Sequence, residues 1–143
     1  MRMLGLDIGE RRVGVALGDS RSRIATPLCV LEAPLSANVT GLESLVEEYS
    51  VKRLVIGLPL TLGGDEGPQA RAVRLEAEEL ARLLPVETVF VDERLTSAQA
   101  NRHMSACGVS QKKRRGSVDM VAAAILLQAY LDSKAIEEDA NEC

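Results

Sequence analysis

Aromatic side chains are scarce in this chain: one Phe, two Tyr and no Trp among 143 residues. That argues against a platform of stacked rings of the kind single-strand binders use. The core must be built from Leu, Val, Ile and Ala. Histidine occurs once, at His103 in a polar and basic stretch, where a surface position is expected. No His–Ser pairing for hydrolase chemistry can be assembled. The cysteines, Cys29, Cys107 and Cys143, lie far apart and form no C-x-x-C pair. Neither a zinc site nor a disulfide framework is indicated, and reduced thiols in a cytoplasmic protein are expected. No segment reaches the ~18 apolar residues of a membrane span. The first apolar run breaks at Asp7, unlike a signal peptide.

What is present is an aliphatic chain, 46% hydrophobic, of a size suited to one domain. The formal net charge is −4, which taken alone disfavours nucleic acid. Its distribution does not. No acid lies between Arg94 and Val118, whereas Arg94, Arg102, Lys112, Lys113, Arg114 and Arg115 all do. Acids gather around Glu43, Glu47 and Glu48 and from Asp132 to Glu142. A local basic patch matters more to nucleic-acid binding than the total.

Alternation and turn residues predict strands over 3–8 and 13–18, joined at Gly9–Arg12, and a third over 24–31 with Pro27 marking an edge or irregularity. Helical spacing follows over 36–49, then an apolar strand at 53–57 and a long Gly/Pro loop. Pro68 suits the first turn of a helix over 68–84. A strand at 86–91 precedes a helix capped by Thr96 or Ser97 and running to Cys107. A basic loop, 108–116, leads to a buried helix capped by Ser117, with a frayed acidic tail beyond Asp132. The order is that of an α/β fold: an antiparallel meander, then alternating units, hence a mixed sheet with helices on both faces.

Three carboxylates stand at the ends of apolar runs: Asp7, Glu93 and Asp119. Desolvating an unpaired carboxylate costs several kcal/mol, so core elements rarely carry one without a task. Bland readings exist for each. Asp7 precedes a glycine turn, Asp119 falls where a helix start favours an anion, and Asp92–Glu93 beside Arg94 suits a surface ion pair. Neighbours in a strand point to opposite faces, so only one of Asp92 and Glu93 easily shares a site with Asp7. Together the acids are all-oxygen ligands suited to Mg²⁺ or Mn²⁺, and two such ions can promote phosphodiester hydrolysis. Lys112 to Arg115 would then grip phosphate beside them, with Arg11, Arg94 and Thr96 as further contacts. The loop from Leu58 to Pro68 is long enough for a binding loop but lacks the G-K-[ST] of a P-loop.

Four stretches carry a resemblance: LGLDIGERRVGVALGD (4–19), VIGLPLTLGGDEGPQA (55–70), VDERLTSAQA (91–100) and VSQKKRRGSVDMVAAAILLQAYLDS (109–133). In this order they resemble the YqgF, or RuvX-like, family of pre-16S rRNA nucleases and Holliday-junction-resolvase-like proteins. The resemblance implies one RNase H-like domain over 1–135, with a five-stranded mixed sheet; the acidic composition of 136–143 predicts a disordered tail. The resemblance also implies a cytoplasmic endonuclease with Asp7, Glu93 and Asp119 as catalytic metal ligands and Asp92 as a further candidate. Asp7 would bridge two metals. The implied substrate is the 5′ end of precursor 16S rRNA, and a ribosome precursor is an implied partner. Branched DNA cut by the same site is an alternative, as is a non-catalytic nucleic-acid module. An actin-like ATPase is also suggested by D-x-G near the start, but the chain is too short for its two domains. A monomer suits strand trimming and a homodimer suits a resolvase.

Overall fold

The computed structural model describes the backbone of residues 1–95 and 111–141, and side chains through 94 and from 118 to 134. Strands β1 (Arg2–Ile8), β2 (Arg12–Asp19) and β3 (Ile24–Glu32) are followed by α1 (Val39–Glu48) and β4 (Val51–Leu58). Then come α2 (Pro68–Leu83), β5 (Glu87–Asp92), a 3-10 turn at Glu93–Leu95 and the long helix α3 (Gln111–Asn141). The strands form one sheet in the order β3-β2-β1-β4-β5. β1, β2 and β3 pair antiparallel, whereas β4 and β5 run parallel to β1. The meander and the mixed sheet are as the sequence predicts.

Pro27 falls on the edge strand β3, where a residue without an N–H is tolerated. Register slips beside it: Val15 pairs with Cys29 but Ala16 with Pro27, leaving Leu28 as the extra residue.

Strand alternation sorts the core into two layers. Leu4, Leu6, Val13, Val15, Leu54 and Ile56 face α1 and α2. Met3, Ala16 and Val55 face α3, against Ala123, Leu126 and Leu127. Each enclosed Leu or Ile contributes about 1.5–3 kcal/mol relative to exposure. α3 lies unusually close to its layer because β2 presents Gly14, Ala16 and Gly18 there. A Cβ at Gly14 would stand 1.9 Å from the Asp119 carbonyl oxygen.

Two expectations are corrected. The basic stretch 108–116 is not all loop, because α3 starts at Gln111 and Ser117 lies inside it rather than capping it. Gln, Lys and Arg are good helix formers, and one interior glycine, Gly116, costs only about 1 kcal/mol. The acidic stretch expected to fray beyond Asp132 continues the helix to Asn141 for the same reason. The predicted helix from Thr96 to Cys107, with Arg102 and His103, lies outside the described residues. Among the described residues, no helix is long and apolar enough to cross a membrane.

Candidate active site

Asp7 is the penultimate residue of β1 and pairs with Gly14 of β2. It shares the α3 side of the sheet with Met3 and Gly5, since strand side chains alternate. On β5, Val89 and Val91 face α3, whereas Phe90 faces the opposite core. Glu93 continues the α3 side, and its Oε2 would lie 3.4 Å from a Cβ built on Gly57 of β4. Asp119 arrives from α3, two turns inside the helix, where first-turn capping no longer accounts for it.

The electrostatics tie these three together. Burial, a hydrogen bond with Asp7 and the charge of Asp7 push the Glu93 carboxyl up to about 8. Burial also raises Asp119, opposed by the Arg12 guanidinium and reinforced by Asp7. Asp7 is thus felt by both other acids. Arg12, at the head of β2, donates from Nε to Asp119 Oδ2 at 3.0 Å.

Arg12 did not stand out among the sequence candidates. A signal existed: Arg12, Gly14, Ala16 and Gly18 alternate, and small residues on one face mark where a helix lies close. Arg12 heads that row.

Asp92 is placed elsewhere. Both its oxygens accept from Arg94, with Nη2 to Oδ2 at 2.6 Å, and these bonds hold its carboxyl below the usual range. Its carboxylate is thus engaged by Arg94, whereas Glu93 is the neighbour that bonds to Asp7. Arg94 also donates through Nη1 to the carbonyls of Thr61 and Leu62, at 3.4 and 3.3 Å. It secures the 59–67 loop against β5, so it is committed to protein partners. Arg11 is an exposed turn residue whose carbonyl accepts the Ala33 N–H at 3.0 Å. Lys112, Lys113, Arg114 and Arg115 lie on the first turns of α3, ahead of Asp119 on the same helix. Their side chains, and Thr96, lie outside the described residues.

The donor set fits a hard divalent cation. Three carboxylates offer oxygen ligands and an excess of negative charge. Burial first, then the bond with Asp7 and its charge, push the Glu93 carboxyl up, and a cation between the acids would offset that cost. Among the described residues, the acids are not already drawn into a formed metal-binding group. The Arg12 bond and the Asp7–Glu93 bond hold them instead. Beside Asp7 and Glu93 opens a cleft of about 600 Å³, walled on its far side by α2.

A family profile described as "RuvX: Holliday junction resolvase" matches residues 1–133. A protein of Roseiflexus sp. (strain RS-1) named "Putative pre-16S rRNA nuclease" is 45% identical over 93% of this chain and 95% of its own length. One of the same name from Chloroflexus aggregans is 44% identical, over 92% of this chain and 94% of its own. Among solved structures, T. thermophilus RuvC in complex with a Holliday junction substrate superposes with a TM-score of 0.54 at 14% identity, over 92% of this chain and 96% of that one. The fowlpox virus Holliday junction resolvase gives 0.55 at 12%, over 93% and 99%. At those identities the likeness is one of fold, the RuvC-like RNase H fold that the sheet order describes. The profile match and the relatives extend over nearly the whole chain, and the chain belongs to the RuvX family.

Proposed function

We propose that this protein is a metal-dependent endonuclease that hydrolyses phosphodiester bonds and processes the 5′ end of precursor 16S rRNA. The observation that carries the reading is the convergence of three acids at one end of the sheet: Asp7 pairs with Gly14, Gly14 lies against the Asp119 backbone, and Glu93 bonds to Asp7. The names of the relatives above 40% identity support the RNA substrate. Such a substrate places the protein in the cytoplasm, with a ribosome precursor as partner, and a monomer suffices for trimming.

Asp7, Glu93 and Asp119 would hold Mg²⁺ or Mn²⁺. When bound, divalent cations supply the charge that activates water and steadies the leaving oxygen. The chain's own residues do the rest. Arg12 holds Asp119 in one orientation. Lys112 to Arg115, at the start of α3, would take neighbouring phosphates, which positions the strand without reading its sequence.

The family profile's description favours a second substrate, a four-way DNA junction, for the same site. The purified protein is incubated with a precursor 16S transcript and with a four-way junction, each with Mn²⁺ and with chelator. The expected result is metal-dependent cleavage of the transcript in preference to the junction. Preferential junction cleavage overturns the substrate assignment, and cleavage that persists in chelator overturns the metal site.

A further inference from the structure

The cleft beside Asp7 and Glu93 is larger than cation binding requires. One wall is α2, where Gln69, Ala72, Val73 and Glu76 fall at three- and four-residue spacing on a single helix face. Pro34 and Pro59, whose rings are rigid and apolar, also line it. The charged residues of the lining are Asp7, Glu10, Glu76 and Glu93, all acidic. Among the described residues, a phosphate entering beside Glu10 and Glu76 meets carboxylates and no basic side chain of the lining. The cleft therefore suits an uncharged group, flat enough to lie between a helix face and proline rings. In the nuclease reading, on which this inference rests, such a group lies next to every phosphodiester: the nucleobase.

Glu76 is held ready for it. The Ser36 N–H donates to Oε1 at 2.6 Å and the Ser36 hydroxyl to Oε2 at 2.9 Å. A carboxylate oxygen accepts more than one bond, so a fixed Glu76 keeps acceptor capacity for a base edge. Carboxylate acceptors match amino groups, as Glu does with the cytosine amine. Gln69, an amide, can both donate and accept. The aromatic poverty of the chain fits as well. Phe90 is packed on the core, so the base is held by enclosure between aliphatic walls and not by ring stacking.

We infer that the cleft is a base pocket: a nucleotide adjoining the cleaved phosphodiester turns its base out of the stack and into the space between α2 and Pro34–Pro59. Glu76 accepts from the base's amino group there, so guanine, adenine and cytosine are preferred to uracil. Turning out a base costs little when the strand is already single, which favours unpaired RNA.

The test uses short single-stranded RNAs with 2-aminopurine at successive positions, bound with Ca²⁺ in place of Mg²⁺. One position is expected to brighten on binding as its base leaves the stack. Ala72→Phe, which fills the cleft from an exposed helix position, is expected to abolish that brightening. It should also raise KM for RNA cleavage about tenfold, the scale of losing one base contact. Its melting temperature and its Mg²⁺-induced thermal shift should match those of the wild type. Glu76→Gln is expected to weaken the preference against uracil. Wild-type KM in Ala72→Phe, or no brightening at any position in the wild type, overturns the pocket and leaves the nuclease reading standing. A wild type that cuts no RNA overturns the nuclease reading, and the fluorescence scan still decides the pocket.

Discussion

Arg12 and Asp119, 107 positions apart in the chain, meet at 3.0 Å where β2 passes under α3. The contact lets a strand residue set the orientation of a helix carboxylate. With side chains 44% and 23% exposed, the pair adds little to stability, about 1 kcal/mol or less. Its weight falls on the site. Arg12→Ala is expected to lower cleavage about tenfold, the scale of one lost charge-assisted bond, while melting within a few degrees of the wild type. Rate assays with paired thermal melts check this, and Arg12→Lys should recover part of the rate. Equal loss of stability and rate would assign Arg12 to folding instead.

Gly14 brings that helix down. Its place under the Asp119 carbonyl leaves no room for a Cβ, which would stand at 1.9 Å. Gly14→Ala is therefore expected to cost about 3 kcal/mol, in the upper range for overpacking, and to lose cleavage because Asp119 moves away. Gly41→Ala, inside α1, is the contrast. Its Cβ would meet only the end of the Leu31 side chain at 3.3 Å, and alanine favours helix by up to about 1 kcal/mol. Denaturant melts of the two variants should move in opposite directions.

The crowded acids also fix how stability depends on pH. Burial and Asp7 raise Glu93 from the ordinary 4.5 to about 8 in the folded protein. A raised carboxyl contributes stability that is fully present below its unfolded value and is lost as pH climbs through its folded value. Asp119, also raised, acts in the same direction. The metal-free protein is expected to melt about 5 °C or more lower at pH 8 than at pH 5, with the fall reversed by Mg²⁺. In Glu93→Gln most of that slope should vanish. A Glu93→Gln profile parallel to the wild type would reject the assignment.

Asp92 and Glu93 are adjacent and predicted to behave unalike. Asp92 is bonded to Arg94, and Arg94 holds the loop through Thr61 and Leu62. Asp92→Asn is expected to loosen that loop and change cleavage by no more than a few-fold, since an exposed pair contributes about 1 kcal/mol at most. Glu93→Gln is expected to remove cleavage to background. Single-turnover rates for the two variants decide between them.

Much of this site was legible from the sequence because its signals are local. Asp7 ends an alternating strand, and Pro27 marks an edge; both follow from the period of two. The family motif points to Glu93 over Asp92, and the alternation of Val89, Phe90 and Val91 between the two cores is consistent with Glu93 on the α3 side. The parity could not be assigned before the faces of the sheet were known. Asp119 was harder. Gly116-Ser117 imitates a helix start, but helix formers on its N-terminal side carry α3 back to Gln111, so its apparent capping role was an artefact of local reading. Arg12 was missed because its partner lies far along the chain, and the Ser36–Glu76 anchor joins two segments with no shared pattern.

Asp7 is the residue both other acids feel, and its substitution is the most direct measurement of the metal-site reading. Wild type and Asp7→Asn are compared for binding to a precursor 16S transcript and for single-turnover cleavage of it in Mn²⁺. The expected result is unchanged RNA affinity with cleavage reduced to background in Asp7→Asn, together with a loss of the Mn²⁺-induced rise in melting temperature. Cleavage by Asp7→Asn at the wild-type rate would contradict the account.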